Sequence, residues 1–136
     1  MTMDAKRAHA AVYLLNATVL LTHQIDAAYW HEWNLFGMPG GIQLFLLLNL
    51  PIVFAVLWGA WALACERPSG IVVSWIVVGG GLFAVGFHSF HLLRGDEAFA
   101  LPVSVALLAA TFVLSLAQLA CLRALRSRAR PAMGAQ

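Results

Sequence analysis

Charge is scarce in this chain. Of 136 residues, 8 are Lys or Arg and 6 are Asp or Glu, giving a net charge of +2. A soluble domain usually carries about 25% charged residues, whereas this chain has 10% and is 62% hydrophobic. That shortage excludes an ordinary solvated globular surface, and it leaves no basic field to hold a phosphate backbone, so no nucleic-acid partner is expected. With only two cysteines, Cys65 and Cys121, neither a disulfide framework nor a thiolate site is expected. An HExxH motif is also missing, which excludes the zincin arrangement.

What the chain does have is four long apolar stretches: Ala8 to Glu32 (8–32), Gly41 to Cys65 (41–65), Gly70 to Arg94 (70–94) and Ala100 to Arg123 (100–123). Each exceeds the roughly 20 residues that a helix rising 1.5 Å per residue needs to cross a hydrocarbon core. Lys6 and Arg7 before the first stretch resemble the start of a signal peptide. The run is too long for one, however, lacks a small-residue cleavage motif and ends in the polar pair His31-Glu32, so it reads as a retained span. The loops are short and hold Gly37, Pro39, Gly40, Pro68, Gly70 and Gly95, which suits tight turns between antiparallel neighbours. The expected fold is all-α: one integral membrane domain over residues 1–136, an antiparallel up-down-up-down bundle of four transmembrane helices.

Orientation follows from the few cations. Lys6 and Arg7 precede the first span, Arg67 lies in the second loop, and Arg123, Arg126, Arg128 and Arg130 follow the fourth, while the first loop has no Lys or Arg. The positive-inside rule then places both termini in the cytoplasm. Tyr29, Trp30 and Trp33 at one border, and Trp58, Trp61 and Trp75 at the other, suit the interfacial belts. The basic tail is within reach of anionic headgroups.

Two spans carry ionisable pairs three residues apart, His23 with Asp26 and His88 with His91. Residues at i and i+3 share a helix face, and ionisable groups inside a membrane are costly enough to be functional candidates. By the helical rise, His23 lies about 14 Å below Glu32 and His88 about 9 Å below Arg94, with Asn49 about 12 Å into the second span. All three fall in one outer layer. The pairs belong to longer stripes: Asn16, His23, Asp26 and Trp30; Ser74, Gly81, His88 and His91; Ser104, Thr111, Ser115 and Gln118. Such steps define single helix faces, which turn toward a bundle interior in membranes. The run Gly79-Gly80-Gly81 and Ala84 offer close approach to a neighbour, a cofactor or a second copy in a homo-oligomer.

Imidazole and carboxylate are the ligands of zinc and of non-haem iron or manganese. The expected site is therefore a divalent metal held by His23, Asp26, His88 and His91, with Asp26 or Glu32 as the catalytic base if the chain is an enzyme. That enzyme would be a metal-dependent hydrolase or oxidoreductase, acting on a lipid-like or small apolar ligand. Two alternatives stand beside it. Haem b can be ligated by one histidine from each helix, and a non-catalytic core can share protons among the same groups, as a sensor subunit, a proton-linked carrier or a purely structural bundle.

Taken together, His23-Gln24-Ile25-Asp26, His31-Glu32-Trp33 and the later His88 and His91 resemble small bacterial four-helix membrane proteins grouped around an HXXEE motif, whose function is unknown. Here Asp26-Ala27 stands where that motif has two glutamates. The resemblance implies a bacterial inner (plasma) membrane location and a shared polar site.

Overall fold

Helix dominates because nearly every residue sits in a long apolar run that must satisfy its own backbone. The structure, a computed structural model, describes residues 3–129, with side chains described to residue 127. Five helices occur among the described residues, and no strand: α1 (Met3–Tyr29), α2 (Glu32–Leu35), α3 (Gly41–Ala64), α4 (Pro68–Leu93) and α5 (Pro102–Ala129). Pro68 and Pro102 each open a helix, where their fixed φ is preorganised and the missing N–H costs nothing. Arg130, the end of the basic tail, lies outside the described residues, as does the Arg128 side chain.

Three helices are long and apolar enough to cross a membrane: Gly41–Ala64, Pro68–Leu93 and Pro102–Ser127. Their outer faces display Leu47, Phe54, Val72, Ile76, Phe83 and Val113 as exposed apolar side chains, a surface suited to hydrocarbon. α1 is as long but more polar, because it contributes His9, Asn16 and His23 to the interior. The first apolar stretch does not stay in one helix up to Glu32. It ends at Tyr29, and Glu32 opens the short α2 beyond a left-handed His31 (φ 53°).

α5 packs against α1 and α4, and α3 packs against α4 and, less extensively, α1. Lys6 pairs with Glu66 in the α3–α4 turn, so the start of α1 and that turn lie at the same end of the molecule. Near that end the polar stripes meet. His9 Nε2 lies 2.8 Å from Ser74 Oγ, and Gln118 Nε2 donates to Ser74 Oγ at 2.7 Å and to its carbonyl at 3.0 Å. Asn16 Nδ2 donates to Gln118 Oε1 at 2.8 Å and to Ser115 Oγ at 3.3 Å. A hydrogen-bonded network of this kind fixes which face of each helix turns inward.

Close approach makes the network possible. A Cβ at Gly81 would stand 2.4 Å from Ser115 Oγ, so glycine alone lets α4 and α5 meet there. On the other side Tyr13 donates its hydroxyl to the Val56 carbonyl at 2.7 Å, over Gly59, where a Cβ would meet the Tyr13 oxygen at 2.2 Å.

Candidate metal centre

At the opposite end, α1 and α4 bring His23 and His88 together, each 1% exposed. Their ring centroids lie 4.8 Å apart in an edge-to-face arrangement. The turn at His31 delivers the third group: Glu32 Oε1 lies 3.1 Å from His88 Nε2. His23, Glu32 and His88 each offer one ligand atom within 4.8 Å of the others, the one such group among the described residues. A tetrahedral shell with bonds of about 2.0–2.1 Å has edges of roughly 3.3 Å, so the widest side of this triangle would contract by up to about 1.5 Å on closing around an ion.

The hydrogen-bond accounting points the same way. Glu32 sits near His88 Nε2 but off the direction of a hydrogen bond; both His88 nitrogens and His23 Nδ1 are buried without a partner. A buried polar atom left unpaired costs about 1–3 kcal/mol, so the His88 nitrogens at the triangle, and His23 Nδ1 on the Asp26 side of its ring, call for something to offset them. Two imidazoles and one carboxylate are a ligand set for zinc and for non-haem iron.

Asp26 and His91 stand apart from this triangle. Asp26 Oδ1 accepts from Ser104 Oγ at 2.9 Å, and Trp30 Nε1 donates to the same hydroxyl at 3.2 Å. Its other oxygen is unpaired and lies 4.0 Å from His23 Nδ1. His91 turns to the α4–α5 loop, where its Nδ1 lies 2.6 Å from Asp96 Oδ2 near the surface. His31 is exposed and packs on Trp33. Asn49 bonds its own helix, donating to the Phe45 carbonyl at 2.9 Å.

Spacing gave no hint of Phe99. This residue of the α4–α5 loop is 1% exposed, and its ring centroid lies 4.0 Å from that of His88 and 5.5 Å from that of His23. It holds a left-handed backbone (φ 66°), an uncommon conformation for a bulky residue, and its burial over the imidazoles offsets that strain. Isolated beside Asp96 and Glu97, it has no periodic pattern to reveal it. Ser104 did leave a signal, the stripe on α5, although nothing in that stripe named Asp26 as its partner.

No curated protein and no solved structure matches the chain. A family model described as a family of unknown function, DUF6713, matches residues 9–125, which include His23, Glu32, His88 and Phe99; it says nothing of the HXXEE-motif group. The chain therefore belongs to the DUF6713 family.

Proposed function

We propose that this is a four-span antiparallel membrane bundle, its termini cytoplasmic, which holds one divalent metal through His23, Glu32 and His88 in its outer half and uses it as a hydrolase or oxidoreductase centre. The observation that carries this reading is the triangle of donors in which both nitrogens of His88 are buried without hydrogen-bond partners. Three protein ligands with a fourth position free are the pattern of catalytic rather than structural zinc. The same set of two histidines and one carboxylate serves non-haem iron, and manganese accepts these donors too. A metal there would activate water or oxygen.

The chain's own groups have distinct work. Asp26, held by the Ser104 hydroxyl to which Trp30 in turn donates, faces His23 Nδ1 and would orient that ring as carboxylates behind metal-bound histidines do, or take a proton as base. Phe99, packed on both imidazoles, would help to keep water from them. Haem is less well supported, because a porphyrin would have to separate the imidazoles of His23 and His88, which are already in edge contact. A proton-sharing core is favoured by one observation, the His9, Ser74, Gln118 and Asn16 network. That network lies toward the other end and leaves the histidine triangle unexplained.

The test is elemental analysis of protein purified without chelators, then loaded in turn with zinc, iron(II) and manganese. Close to one ion per chain is expected, lost in His23→Ala and His88→Ala variants whose helical circular dichroism is unchanged. A wild type that retains none of the three metals would overturn the reading.

A further inference from the structure

The triangle opens onto a cavity of about 510 Å³ between α1, α3 and α4, within the range of roughly 300–1,000 Å³ usual for ligand sites. Its walls are mainly apolar, with Leu20, Phe45, Val56, Val77 and Ala84 among them, and the polar side chains that reach it are His23, Gln24, Glu32 and Asn49. Two of these are incompletely bonded: His23 Nδ1 and Asn49 Oδ1 are buried without partners. Leu48, Ile52, Ile76 and Phe83 line the cavity and are also exposed on the outer surface. One wall is thus shared with the face turned to hydrocarbon, and entry from that side needs no passage through water.

We infer that the cavity binds a single-tailed lipid with an uncharged, hydroxyl-bearing head, a long-chain alcohol in its simplest form. The tail lies among the apolar walls, and the head lies among His23, Glu32 and Asn49. An acyclic tail suits a cavity whose walls come from three helices and whose neighbour is the acyl region of a bilayer. The head is set by charge and by the orphaned acceptor. Glu32 and Asp26 already supply two carboxylates, enough to balance a divalent ion, so an anionic head would add an uncompensated buried charge. Asn49 Oδ1 requires a donor, which a hydroxyl has and an alkane or carboxylate lacks. This inference deepens the metal reading, because His23 and Glu32 belong both to the triangle and to the cavity lining.

Glycines make the test clean. Gly80 lines the cavity, and a Cβ built on it meets nothing within 4 Å; Gly79 is equally free and lies outside the lining. Gly80 is exposed at the open wall of the cavity, so a phenyl ring there adds bulk at the entrance without displacing the backbone. Tritiated dodecan-1-ol binding is measured by scintillation proximity in phosphatidylcholine nanodiscs, with metal content determined on the same samples. Wild type and Gly79→Phe should bind saturably and alike, and Gly80→Phe should bind at least about tenfold more weakly with unchanged metal content. Dodecane and dodecanoate should compete less well than unlabelled dodecan-1-ol. Absence of saturable binding, equal binding by Gly80→Phe, or equal competition by dodecane would each overturn the inference. Dodecan-1-ol binding by a wild type that holds no metal would support the cavity and count against the metal reading alone.

Discussion

His88 and His91 sit one helical turn apart on α4 and are chemically identical, yet only one reaches the triangle. His88 is enclosed by α1, α2 and Phe99. His91 lies in the last turn of α4, where Gly95 (φ 86°) reverses the chain and carries Asp96 back to it. A partly exposed pair of this kind adds little stability, so His91→Ala should leave both folding and metal content as in wild type, whereas His88→Ala empties the site. Parallel elemental analysis of the two variants checks this, and metal loss in His91→Ala would restore the four-ligand set of His23, Asp26, His88 and His91. Phe99 adds a residue-level lesson. Its contribution comes from contact with both imidazoles, and contact across a loop leaves no mark in a one-dimensional pattern.

Between helices, the stripes were legible because a period near 3.6 survives folding: Asn16, Ser74, Ser104, Thr111, Ser115 and Gln118 are all fully buried. Glu32 could be named but not placed, since a left-handed turn at a non-glycine residue such as His31 is too uncommon, even for His, to be anticipated from spacing. The glycine run could be seen, but not the separate role of each member. Gly81 admits α5, while Gly79 and Gly80 are both exposed and only Gly80 lines the cavity. Gly81→Val should accordingly push α4 from α5 at Ser115 and destabilise the protein by about 1–3 kcal/mol, as overpacking does, while Gly79→Val should be close to neutral. Thermal unfolding of the two variants in the same detergent measures the difference, and equal midpoints would show that α4 and α5 do not meet as described.

For the molecule as a whole, the sparse charges and the packing agree on which ends belong together. Lys6 pairs with Glu66, and Arg67 follows in the same turn, stacked over Trp61; Asp96 and Glu97 lie in the α4–α5 loop, near the His23–Glu32–His88 triangle through His91 and Phe99. If the cation-rich end is cytoplasmic, as the positive-inside rule requires, the triangle of His23, Glu32 and His88 faces the outer leaflet, and a lipid would enter its cavity from there. Cysteine usage makes this directly measurable. Cys65 is exposed at the end of α3 beside the Lys6–Glu66 pair, and a Cys121→Ala background leaves it as the single thiol. In intact bacterial spheroplasts a membrane-impermeant maleimide should fail to label Cys65 and should label it fully in inverted vesicles. A Glu97→Cys change in a cysteine-free background should show the reverse. Labelling of Cys65 from outside would invert the protein and move the centre to the cytoplasmic leaflet, and labelling of both positions from one side would break the four-span topology, because an even number of crossings separates Cys65 from the α4–α5 loop only when α4 does not span.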